Sequence, residues 1–166
     1  NLEQEANEFA SALLMPDKFF TPLCEDSEPS LDLIADLAEK FNTSLTATAL
    51  RFTHFSFEAC AIVYSKDGRI KWFQGSNEFT ELGLFIDVRS KLDTESMAAR
   101  YFQGLSLPEP QRSVPASTWL VSGSYRRDAL IREQSWPMPR YHSVITLLWI
   151  NEDISEDDDF EDDDFG

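Results

Sequence analysis

Apolar residues recur at helical spacing in the opening stretch, NLEQEANEFASALLMP. Leu2, Ala6, Phe9, Ala10, Leu13 and Leu14 share one side of a helix expected over residues 2–14. Pro16 cannot continue that helix and restrains Met15 toward extended geometry. The polar run TPLCEDSEPS then predicts a loop over 21–30. Ser30 is a suitable N-cap for a second helix, with Asp32 in its first turn and Leu31, Ile34, Leu37, Ala38 and Phe41 as its apolar stripe. FNTS is the next turn, in which Asn42 ends one helix and Ser44 caps another. That third helix, LTATALRFTHF, places Leu45, Ala49 and Phe52 together, so residues 31–54 form a helix-turn-helix candidate.

The pattern changes at Ser56. FEACAIVY and IKWFQ are apolar and aromatic runs on either side of SKDGR, whose Asp67-Gly68 pair predicts a tight hairpin. STWLVSGSY and HSVITLLWI predict two more strands, and the nearly unbroken apolar character of the second predicts a central position. TESMAARYFQG, between the hairpin and these two, predicts a helix. Strands interleaved with a helix point to an α+β domain over 56–150.

Composition supports a folded chain: 166 residues, 42% hydrophobic, with 13 Phe and 4 Trp. The net charge of −16 is unevenly placed, because the last sixteen residues hold ten acids and no base, which leaves −6 for the rest. Residues 151–166 are therefore expected to be a disordered acidic tail, since self-repulsion outweighs what little apolar area they could bury. Cys24 and Cys60 show no paired spacing, which suits free thiols in a reducing cytoplasm. No apolar run approaches the length of a membrane span.

One residue disturbs the amphipathic pattern of the first helix. At about 100° per residue, the apolar positions occupy an arc of roughly 180° to 320°. Glu5, Glu8 and Gln4 fall outside that arc, but Glu3 falls at about 300°, inside it. Asn7 lies on the edge of the arc, one turn from Glu3, so their side chains are neighbours. Two explanations compete. Glu3 is an ordinary first-turn acid that favours the helix dipole, or it is a carboxylate held on an apolar face by a partner such as a metal.

The segment carrying this pair is recognisable. Glu3, Ala6, Asn7, Phe9, Ala10, Leu13, Leu14, Met15 and Pro16 stand in an order that closely resembles the segment after the zinc-binding motif of ImmA/IrrE-type metallopeptidases. FNTSLTATALRF is similar to that family's helical linker. CAIVYSKDGRIKWF, VPASTWL and VITLLWI are similar to the strands beyond it, where some members carry a GAF-like sensor domain. The resemblance implies that Glu3 is the third zinc ligand and that Asn7 supports it. It also implies two ligand histidines and a general-base glutamate in a His-Glu-x-x-His motif on another helix. This sequence has no such motif. Its only histidines are His54 and His142, and the family's order places the motif before Asn1, where the lack of an initiator methionine leads us to expect further sequence.

The expected organisation is thus the end of a zincin-like peptidase domain (1–22), a helix-turn-helix-like linker (23–55), a GAF-like α+β domain (56–150) and the tail (151–166). The resemblance implies zinc in the complete protein, no tight zinc binding by this chain alone, and cleavage of an Xre-type repressor in a stress or mobile-element response. A non-catalytic sensor or interaction module and a DNA-binding regulator are the alternatives. Direct nucleic-acid binding is not expected, because the second helix of the helix-turn-helix candidate offers only Arg51 and His54 as cations. Arg126, Arg127 and Arg132 could meet an acidic partner or belong to a solvated element end. Trp72, Trp119, Trp136 and Trp149 could line a sensor pocket or fill the core, and Cys60 is expected to be a small core residue.

Overall fold

The computed structural model describes residues 2–121, 123 and 125–156. It is an α+β arrangement in which helices precede a five-stranded antiparallel sheet. The helices are α1 (Leu2–Leu14), α2 (Asp17–Glu25), α3 (Leu31–Phe41) and α4 (Leu45–Phe55). The sheet comprises β1 (Ala59–Lys66), β2 (Arg69–Gly75), β3 (Arg112–Pro115), β4 (Leu130–Met138) and β5 (Ser143–Ile150), in the order β2-β1-β5-β4-β3. Two short helices, α5 (Asn77–Glu81) and α6 (Met97–Phe102), lie in the connections.

Local chemistry explains the boundaries that the sequence shows. The Ser30 hydroxyl accepts the Leu33 N–H, and Ser44 does the same for Ala47, so both expected caps are formed. Asn42 closes α3 in the left-handed region at φ 53°, a conformation Asn tolerates better than most residues. Between β1 and β2, Asp67 and Gly68 both have positive φ, 53° and 76°, as a two-residue hairpin turn of this twist requires. The apolar run of β5 is central, with β1 on one side and β4 on the other.

Several expectations are corrected. The supposed loop over 21–30 begins inside α2, because Phe20 and Cys24, one turn apart, are both buried and outweigh the cost of Pro22 within the helix. Among the described residues of STWLVSGSY none belongs to a strand: a 3₁₀ turn spans Ala116–Thr118, and Trp119 and Leu120 are buried from irregular backbone. The strand lies instead in LIREQSWPM, whose polar residues disguise it. Residues 151–156 do not all project into solvent, since Ile154 is buried and its carbonyl accepts the Arg126 N–H. The remainder of the expected tail, 157–166, lies outside the described residues.

The sheet separates two apolar clusters. On one face, Ala61, Val63, Ile131, Val144 and Leu148 pack with residues from α5, α6 and the connecting segments. On the other, Cys60, Ile62, Ile145 and Leu147 pack with Met15, Phe20, Cys24, Leu31, Ile34, Leu37, Ala49 and Phe52. Residues 23–55 therefore share a core with the sheet.

Consecutive side chains of β4 fasten the two layers. Glu133, with no exposed side chain, accepts Met97 N–H (2.9 Å), Arg112 Nε–H (2.7 Å) and Trp119 Nε1–H (2.6 Å). Gln134 leaves the opposite face. Its Oε1 accepts the buried Leu31 N–H (2.7 Å), and its Nε2 donates to Asp32 Oδ2 (2.8 Å) and the Glu109 carbonyl (2.9 Å). Replacing Gln134→Ala strands the Leu31 amide, so the stability of the chain should fall by about 1–3 kcal/mol. Urea unfolding checks this, with a lower midpoint and an unchanged slope as the expected outcome.

Candidate functional site

The opening helix behaves unlike the others. Its apolar stripe formed as the spacing predicts, yet nothing in the described chain covers it: Leu2 is 85% exposed and Phe9 67%, and Ala6, Ala10, Leu13 and Leu14 are exposed as well. Glu3, expected to face a core, is exposed with the rest of that side. Glu3 and Asn7 do share a face, and together they line one wall of an open cleft of ≈ 1350 Å³. Thr46, Leu50 and His54 of α4 also line it, as do Trp72 to Gly75 of β2.

The helix is held at its C-terminal end. Met15 is fully buried, and Arg51 Nε donates to its carbonyl at 2.8 Å, satisfying one of the acceptors that a helix end leaves open. The same guanidinium pairs with Asp17 and lies over the rings of Phe55 (5.0 Å) and Phe20 (5.9 Å). Arg51 therefore joins α1 and α2 to α4. Of the two cations that a DNA-reading helix would have offered, this one is engaged inside the chain. The other, His54, is exposed and packs edge-on against Phe55.

The remaining candidates are dispersed. His142 is exposed in the left-handed region, remote in sequence from any other histidine. The tryptophans do not converge on one pocket. Trp119 belongs to one cluster, whereas Trp72, Trp136 and Trp149 border the other, with Trp72 stacked on Tyr64 at 5.3 Å. Arg126 and Arg127 line a smaller depression with Asp128 and Glu156, and Arg132 donates to Gln111 from β4. Cys24 and Cys60 are both free and buried in the helix-side core.

Zinc requires about three protein ligands in a catalytic site. The cleft is lined by the carboxylates of Glu3 and Glu8, the neutral Asn7 amide and the His54 imidazole, but among the described residues no group of three His, Cys, Asp or Glu could hold a metal ion. The donor set present does not fit a zinc site by itself. Nor is any helix among the described residues long and apolar enough to cross a membrane.

Two predictions follow from these environments. Arg51→Met should free the joint between α1 and α2, so limited proteolysis should cut within 13–17 sooner than in the parent chain. Burial pushes both thiols up from 9.0 to about 12, so folded Cys24 and Cys60 should resist alkylation near pH 8 until the chain unfolds. Because these pKa values are raised on folding, their contribution is complete below pH 9 and is lost as pH rises toward about 12. Chemical denaturation across that interval should show the decline, and a Cys24→Ala, Cys60→Ala chain should show less of it.

Comparison with known proteins adds one finding. Residues 1–53 match the family model described as the IrrE N-terminal-like domain, a match that runs beyond α1 through α2, α3 and most of α4. No curated protein matches the chain. The ImmA/IrrE-type resemblance carried by the opening helix therefore holds for residues 1–53 as a whole.

Proposed function

We propose that this chain is the C-terminal part of an ImmA/IrrE-like zinc metallopeptidase that cleaves a transcriptional repressor in the cytoplasm during a stress or mobile-element response. The observation that carries this reading is the position of Glu3 and Asn7 within a family-matched segment, on a helix whose apolar side has no cover. A helix with that much exposed apolar area gains stability when another surface packs on it. In the proposed protein that surface is the part of the peptidase domain bearing His-Glu-x-x-His. The repressor would be of the Xre type, by family resemblance. Helices α3 and α4 act as a helix-turn-helix-like linker, and the sheet acts as a GAF-like sensor.

The second reading is a non-catalytic sensor or interaction module, in which the sheet and the helices that share its core keep the architecture without the chemistry. A protein containing both His-Glu-x-x-His and residues 1–166 separates the two. Glu3→Gln should there abolish peptidase activity and lower zinc content, and Asn7→Ala should reduce activity about 10–100-fold. If Glu3→Gln leaves both zinc and activity intact, Glu3 is an ordinary first-turn acid and the peptidase reading fails.

A further inference from the structure

Part of the cleft's lining is the edge of a sheet, and that edge is treated differently along its length. At its start, β2 is covered by the chain itself: Ile70 N–H donates to the Ser90 carbonyl (3.1 Å), Arg89 N–H donates to the Ile70 carbonyl (2.7 Å), and Arg69 bridges Lys91 in antiparallel fashion. Residues 89–91 thus serve as a short added strand. Beyond them the covering segment turns away, and the uncovered part, Trp72 to Gly75, is the part that lines the cleft.

The direction of the backbone groups there follows from the ladder. Ser76 N–H donates to the Cys60 carbonyl, which points Ser76 toward β1. Alternation in an antiparallel pair then turns Gln74 and Trp72 toward β1 as well, opposite Ile62 and Tyr64. Phe73 and Gly75 consequently aim their N–H and carbonyl groups away from β1, into the cleft. Among the described residues, no backbone hydrogen bond meets them on that side. Lys71 is the extra residue of the bulge between the Ile70–Ser65 and Trp72–Tyr64 pairs, which is why Ile70 on one side of it and Phe73 on the other both face outward.

This short open ladder is also held firmly. Gln74 Nε2 donates to the Leu50 carbonyl (3.0 Å) and to Thr53 Oγ1 (3.1 Å), which ties the edge to α4 across the floor of the cleft. A rigid pair of outward-facing residues is a template for an extended chain.

We propose that the β2 edge at Phe73 and Gly75 binds an extended segment of a protein substrate as an added antiparallel strand, lying between the sheet and α1. It continues the line that residues 89–91 begin, and backbone hydrogen bonds supply the attachment, so recognition there depends on extended conformation more than on any one side chain. A strand so placed lies in the cleft that Glu3 and Asn7 also line. The assignment of that strand as substrate rests on the peptidase reading above; the existence of the docking edge does not. A second copy of this chain is the competing occupant. It would have to bring a whole sheet with its covering helices into a cleft already walled by α1.

Amide hydrogen exchange on the isotopically labelled 166-residue chain tests the proposal, with a short blocked peptide of alternating Thr and Val between terminal lysines as the probe. Exchange at Phe73 and Gly75 should slow by about tenfold or more on adding peptide, while Trp72 and Gln74, already paired with β1, stay as they were. A peptide N-methylated at alternate positions should lose the effect, because it keeps the side chains and removes the donors. Absence of protection at Phe73 and Gly75, or equal protection by the N-methylated peptide, overturns the docking edge. Protection that grows with protein concentration without peptide assigns the edge to a second copy and overturns the peptide. Failure of the Glu3→Gln test in the complete protein would instead remove the peptidase reading and leave the exchange result standing.

Discussion

Glu133 and Gln134 leave β4 in opposite directions, and the two layers of the molecule are fastened to the sheet through them. The carboxylate is buried, a costly placement that three donors from three separate segments offset: the start of α6, β3 and the indole of Trp119. The neighbouring amide reaches the first turn of α3 and the loop at Glu109. A strand with apolar residues at both positions would bury more hydrocarbon but would not set the register of α3 against the sheet. With these bonds in place, α3 and α4 sit at a defined height above β1 and β5, and α4 in turn supports the cleft.

That chain of support ends at Arg51. Its guanidinium holds the Met15 carbonyl and Asp17 while resting on two aromatic rings, so α1 leaves the body at a direction set from one end. The apolar side of the rest of α1 is exposed among the described residues. An amphipathic helix fixed at one end and bare along its apolar side is poised to gain by docking. The residues proposed to act, Glu3 and Asn7, lie toward that uncovered end of the helix.

Legibility varied with the kind of signal. The caps at Ser30 and Ser44, the Asn42 terminus, the Asp67-Gly68 hairpin and the central position of β5 were readable because each depends on local backbone chemistry or on one long apolar run. The strand β4 was not, because Arg132, Glu133, Gln134 and Ser135 look like solvent-facing residues until their partners are known. Those partners lie far away in the chain, as with Gln134 and Leu31. Helix α2 was concealed by Pro22, whose cost is outweighed by burying Phe20 and Cys24. At the candidate site, Glu3 and Asn7 stood out through a motif and a helical period. The part played by β2 in the cleft could not, since an open edge is a property of strand order.

The sequence by itself determined α1, α3 and α4, where the hairpin turns, and that the opening segment resembles the ImmA/IrrE-type family, because these follow from short-range periodicity and residue identity. Tertiary structure alone decided that the stripe on α1 is uncovered, that Arg51 is spent as a joint and that Glu3 lines a cleft together with a sheet edge. Those outcomes depend on contacts between residues distant in sequence, where burial and paired polar groups override local preference.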